Sequence, residues 1–118
     1  MIPSDIMRYN LKFNVINMPN FEAIRVGRKT VETRAATKKY QNIKAGDILV
    51  LTCGNKKLLK TVKRARVFKT ISALFKKYKV GSVNPWLKTI KEAEEMFYSY
   101  PGYKEKIEKY GLIAMELK

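Results

Sequence analysis

Histidine is missing altogether from this chain of 118 residues, and that absence closes more routes than any motif opens. Ser-His-Asp and Cys-His catalysis are excluded, as is the paired-imidazole acid–base chemistry some ribonucleases use. A structural zinc site needs about four Cys/His ligands, and Cys53 is the single one on offer. That lone cysteine has no partner for an internal disulfide, so the fold rests on its core, and a reducing, cytoplasmic setting is expected. Any catalysis must run on Lys, Arg, Tyr, Thr, Ser or a carboxylate. No apolar run approaches the roughly 18 residues that cross a bilayer. The opening MIPSDIMRYN has no basic stretch leading into an apolar one, so no secretory signal is expected either.

Acidic residues are the next shortage: 10 Asp+Glu stand against 25 Lys+Arg, a formal charge of +15. Between Asp47 and Glu92 there is no acid at all, where an even spread would place about four. That window holds Lys56, Lys57, Lys60, Lys63, Arg64, Arg66 and six further lysines. A one-signed field attracts polyanions and releases their counterions on binding, so RNA is the expected partner. Plain solubility is the bland reading of the same composition. An anionic membrane surface is a weaker rival, because no basic amphipathic helix stands out.

What is present is enough for one packed domain over residues 1–118, expected to be a monomer: 46% of the chain is hydrophobic. Residues 7–15 alternate apolar and polar with period two, which predicts a half-buried strand. Asn20 is placed to cap a short helix through Val26 that turns Phe21 and Ile24 inward, with Gly27 as its left-handed terminator. Residues 28–34 read as extended. Lys44-Ala45-Gly46-Asp47 is a turn before the central strand Ile48-Leu49-Val50-Leu51, and Gly54-Asn55 turns the chain into another strand over 58–68. Thr70 caps a helix carrying Ile71, Leu74 and Phe75, and residues 81–85 read as a loop. Thr89 and Glu92 have capping-box spacing, opening a helix that stops before Pro101. A last short helix carries Tyr103, Ile107 and Tyr110, and residues 112–117 close the chain as a strand. The fold class is α+β, a small mixed β-barrel of about five to six strands with three to four flanking helices.

Three blocks, in order, carry a family resemblance. Phe21 to Arg34 reads as a short helix followed by a G-x-K-T-x-E-x-R strand. Ile43-Lys44-Ala45-Gly46-Asp47-Ile48-Leu49 follows. Then come Glu92-Ala93 to Tyr103 and Tyr110 to Leu117. Together they resemble ASCH domains, a branch of the PUA-like fold. The resemblance implies a β-barrel with helices round a cleft into which the motif residues project. It also implies a range of functions: RNA binding, reading of modified bases, ribonuclease activity, or removal of the acetyl group from N4-acetylcytidine.

The motif residues have a chemistry of their own. On a strand, Thr30, Glu32 and Arg34 share one face, and Gly27 lets the chain bring Lys29 in from the helix end. Two cations straddling one carboxylate suit a phosphate or carbonyl oxygen beside a base edge; a plain Arg–Glu ion pair is the structural alternative. The resemblance implies the cleft, whose expected residues are Lys29, Thr30, Glu32, Arg34, Tyr103 and Tyr110, with Lys29 and Glu32 as catalytic groups if the protein is an enzyme. The amidohydrolase pattern departs here: its threonine three residues after the lysine is Glu32, and its downstream glutamate falls in the acid-free window. No cofactor is expected, and a Mg²⁺ or Mn²⁺ ion only for a ribonuclease, since two-metal chemistry needs clustered carboxylates. The basic strand (Lys60, Lys63, Arg64, Arg66, with Lys56 and Lys57) would follow the RNA backbone. Trp86 and Tyr40 are candidate stacking groups, against the plainer reading of Trp86 as a lid on the core.

Overall fold

The computed structural model describes residues 6–118; residues 1–5, half of the stretch read for a signal, lie outside the described residues. Alternation makes Arg8–Phe13 the first strand, β1, with Leu11 and Phe13 buried and Arg8, Asn10 and Lys12 exposed. The apolar pattern runs on to Val15, but the chain leaves the strand at Asn14 and coils into a 3-10 turn, Val15–Asn17. Val15 is consequently 66% exposed and adds nothing to the core. Helix α1 (Met18–Arg25) starts earlier than an Asn20 cap would allow. Asn17 holds the cap position, and Pro19 sits in the first turn, where its missing N–H costs nothing. Phe21 and Ile24 are buried as their spacing predicts. Gly27 takes φ +83°, and the N–H groups of Arg28 and Lys29 both donate to the Ala23 carbonyl, at 2.8 and 3.0 Å. This closing turn folds Lys29 back over the end of α1.

The remaining elements are β2 (Val31–Ala35), β3 (Ile48–Cys53), β4 (Lys56–Phe68), α2 (Ile71–Lys77), α3 (Val80–Val83), α4 (Ile90–Ser99), α5 (Tyr103–Tyr110) and β5 (Leu112–Leu117). The Thr70 cap and the Thr89–Glu92 capping box form as their spacing predicts. Helix α3 is a correction: the expected loop contains one helical turn, which makes five α-helices among the described residues where three to four were expected.

The strands form one sheet in the order β1-β3-β4-β5-β2, with β1 parallel to β3 and the other pairs antiparallel. Strand β4, 13 residues long, pairs first with β3 and then with β5, so the sheet curls into a half-barrel. A bulge between Val62 and Arg64 resets the alternation midway. Val62 and Ala65 both face inward, while Arg64, Arg66 and Phe68 take the other face. The inner core joins Leu11, Phe13, Leu49, Leu51, Val62, Ile113 and Met115 to Phe21 and Ile24 of α1. The outer face of the β5–β2 half is covered by the helices, with Ile71, Leu74, Phe97 and Ile107 on Val31, Leu112 and Ala114. Asp47, fully buried, ties the half-barrel's rim together. It accepts from Met7 N–H (3.0 Å), Lys44 N–H (2.9 Å) and Lys44 Nζ (3.1 Å). Among the described residues no helix is long and apolar enough to cross a membrane.

Candidate functional site

An open half-barrel has two edge strands, here β1 and β2, and the seam between them holds a cavity of about 240 Å³. Strand β2 supplies its charge. Glu32 and Arg34 lie opposite Met115 and Ile113 in the register, so both point to the inner face of the curl. Lys29 arrives from the α1 closing turn. Lys29 and Glu32 are only 5% and 4% exposed, which makes their pairing obligatory. Glu32 Oε1 lies 3.0 Å from Lys29 Nζ, and Oε2 lies 3.1 Å from Arg34 Nη2. The Thr33 N–H donates to Oε1 at 3.0 Å. Lys29 Nζ also donates to the Val83 carbonyl at the end of α3. Arg34 Nη2 donates to the Lys12 carbonyl at 3.2 Å, bridging the seam from β2 to β1. Its guanidinium stands 5.1 Å from the centre of the Phe13 ring.

Burial alone would push the Glu32 carboxyl up, but Lys29 and then Arg34 outweigh it and hold the group below the usual carboxylate range. Burial likewise pulls the Arg34 guanidinium down, and Glu32 more than restores it. The carboxylate is therefore ionised throughout the neutral range and is a poor proton acceptor there, since a general base works best with its pKa near the operating pH.

The opposite wall is aromatic and comes from the α4–α5 junction. The Tyr103 hydroxyl accepts from the Ala35 N–H at 3.4 Å, leaving its own proton to donate. Tyr100 meets Tyr103 edge to face, centroids 5.2 Å apart. Burial raises both phenols, so they stay neutral. Asn84 closes the floor beside them: its Oδ1 accepts from Trp86 N–H (3.0 Å) and its Nδ2 points to Met96 Sδ (3.2 Å). The remaining side is polar, formed by Asn14, Asn17 and Asn20.

Lys29, Glu32, Arg34 and Tyr103 thus meet in one cavity, and two of the expected cleft residues do not. Strand β2 begins only at Val31, so the period-two count does not extend back to Thr30. Thr30 lines a separate shallow hollow with Lys63, Tyr78 and Glu116, and Thr33 borders the main cavity instead. Tyr110 packs against the inner core beneath the Lys109 ammonium. Tyr40 packs against the same core, with Lys39 over its ring. Trp86 is no lid: it is 50% exposed, with the Arg28 guanidinium 5.5 Å from its ring centre.

The basic strand does not present one surface, because alternation and the bulge divide it. Lys57 is exposed near the β3–β4 turn, and Lys56 there reaches Glu22 at 3.5 Å. Lys60 lies opposite Leu49, on the inner side and half-buried. Lys63 is exposed at the bulge. Arg64 approaches Glu116 at 3.6 Å, and Arg66 lies 5.1 Å from the Phe68 ring centre. Glu116 also accepts from the Tyr78 hydroxyl at 2.7 Å, and burial with that contact pushes Tyr78 up to about 12. Among the described residues no three Cys, Asp or Glu side chains gather into a metal-ligating group.

Sequence reasoning passed over Tyr100 and the asparagines. Tyr100 falls on the apolar stripe of α4 and reads as core. The recurrence of Asn at 14, 17 and 20 was the available signal, and it is legible only once the strand is known to stop at Phe13.

Residues 15–118 match the family model described as the ASCH domain. Two solved structures are similar along nearly their whole lengths. The crystal structure of hypothetical protein PH0355 is 28% identical, with a TM-score of 0.83, covering 95% of this chain and 98% of that one. The solution NMR structure of protein PF0455 from Pyrococcus furiosus is 27% identical, with a TM-score of 0.73, covering 95% and 96%. No curated protein matches this chain.

Proposed function

Because this chain belongs to the ASCH domain family, we propose that it is an RNA-binding module that takes one nucleotide of a single strand into the β1–β2 seam. The observation that carries this reading is the buried Lys29–Glu32–Arg34 triad set in a small cavity walled by tyrosines and asparagines. Pockets for drug-sized ligands run to roughly 300–1,000 Å³, and at about 240 Å³ this one suits a single base. Aromatic walls offer a π-face to any base, and the cations offer donors to its carbonyl groups. The +15 charge supplies the sequence-independent attraction for the rest of the strand.

Hydrolysis in the same cavity is the rival reading, and the electrostatics favour binding. A catalytic carboxylate should exchange a proton near neutral pH, whereas Glu32 is held ionised by two cations. The test is a gel-shift titration of labelled single-stranded RNA at several salt concentrations, with and without Mg²⁺ or Mn²⁺. Wild type should retain intact RNA. Tyr100→Ala should weaken retention by about 1–3 kcal/mol, the worth of one stacked base. Absence of retention at low salt would sink the proposal. So would RNA cut by wild type and spared by Lys29→Ala, which would make the protein a nuclease.

A further inference from the structure

Helix-cap positions favour asparagine because its side-chain oxygen accepts from a backbone N–H that the helix leaves unpaired. Asn14 stands at the cap of the 3-10 turn and Asn17 at the cap of α1, yet neither side chain makes a capping bond. Asn20 follows one turn later, within α1. All three residues line the cavity. Asn20 goes further: its Oδ1 is, among the described residues, the one buried side-chain nitrogen or oxygen with no hydrogen-bond partner. An orphaned buried carbonyl is costly, and because Asn20 lines the cavity, a donor on a ligand there would relieve it once the amide turns.

The donors in the cavity are equally incomplete. Lys29 Nζ has three N–H groups and uses two, on Glu32 and the Val83 carbonyl. Among the described residues Arg34 Nη1 has no partner, while Nε and Nη2 are taken. The triad carries one net positive charge, with the Glu32 carboxylate inside it. A phosphate placed here would meet that carboxylate and the orphaned carbonyl. A neutral base edge would not: its N–H satisfies Asn20, and its adjacent carbonyl or ring nitrogen accepts from Lys29 or Arg34.

We propose that Asn14, Asn17 and Asn20 form a base-reading wall, in which Asn20 Oδ1 accepts from an N–H on the Watson–Crick edge of the nucleotide while its phosphates stay outside. The inference rests on the nucleotide reading above. A turn about the terminal bond of Asn20, which is a soft torsion, brings the oxygen to the base.

The test is an anisotropy titration with hexamers of uridine, cytidine, adenosine and guanosine. Each is paired with a counterpart methylated on its Watson–Crick N–H groups, which removes the donors and leaves the phosphates. Wild type should bind the unmethylated member of its tightest pair at least tenfold better. Asn20→Leu, close in size but without the acceptor, should bind both members alike, at the wild-type affinity for the methylated one. Its Tm should rise, because leucine is the better helix former and the orphaned carbonyl is gone. Two results would overturn the inference. One is equal binding of every pair by wild type. The other is discrimination that persists in Asn20→Leu, which would make it steric. Either result with salt-sensitive RNA binding intact removes only the asparagine wall; no RNA binding at all removes the nucleotide reading itself.

Discussion

Glu32 and Asp47 are both buried carboxylates, and both are held ionised by donors around them. For each, burial pushes the pKa up and the neighbours more than reverse it: Lys29 and Arg34 for Glu32, and the Met7 and Lys44 donors for Asp47. A folded-state pKa below the ordinary value means that the unfolded chain binds the proton more readily. Their contribution is therefore complete above the ordinary values of 4.5 and 3.8 and is lost as pH falls through the lower folded values. Thermal unfolding from pH 7 to pH 2 should show Tm falling only in the acid limb, and Asp47→Asn should flatten that limb. Glu32→Gln leaves Lys29 and Arg34 facing a neutral group at a buried position. Breaking a buried pair costs about 3–5 kcal/mol, and urea unfolding should record a loss of that order. Period two was enough to place Glu32 and Arg34 on one face. It failed at Thr30, which precedes the strand proper: its N–H donates to the Ser82 carbonyl at 3.1 Å and its carbonyl accepts from Leu117 N–H at 2.9 Å, and it lines the separate hollow.

At the scale of elements, the local signals with a backbone mechanism are the ones that hold. The caps at Thr70 and Thr89 satisfy exposed amides within a few residues, so no distant contact is needed to form them. The bulge in β4 is different: nothing near Lys63 marks it, and it arises because one long strand must serve two neighbours while keeping Val62 and Ala65 inside. Gly111, between α5 and β5, joins the two kinds of signal. Its φ of +80° favours glycine, and a Cβ there would fall against the Phe68 carbonyl oxygen of the paired strand. Gly111→Ala should therefore destabilise by about 1–3 kcal/mol from the backbone alone, with the collision adding to it. Gly27→Ala meets open space and should lose only the backbone part. A comparison of urea midpoints separates the two.

For the whole molecule, the charge excess makes salt the most telling variable in the proposed RNA binding. Log affinity should fall linearly with log salt. Lys57→Ala and Lys63→Ala should each reduce that slope by about 1 if they meet phosphates. Lys56→Ala and Arg64→Ala should reduce it less, since Glu22 and Glu116 already lie beside them. Composition, periodicity and turn chemistry determined by themselves that this is an α+β chain, where most of its strands and helices lie, and that Glu32 and Arg34 share a face; Lys29 joined them through the motif resemblance. These are short-range facts: alternation, capping and a motif within one turn and one strand. Only the tertiary structure decided that β1 and β2 become the two edges of a half-barrel. That curl brings Tyr100, Tyr103 and three asparagines to the triad from segments up to some seventy positions away, and the bulge that lets β4 serve two neighbours helps to divide its basic residues between faces. No pattern along the chain encodes which strands pair across such distances, because the pairing is set by how the inner core packs as a whole.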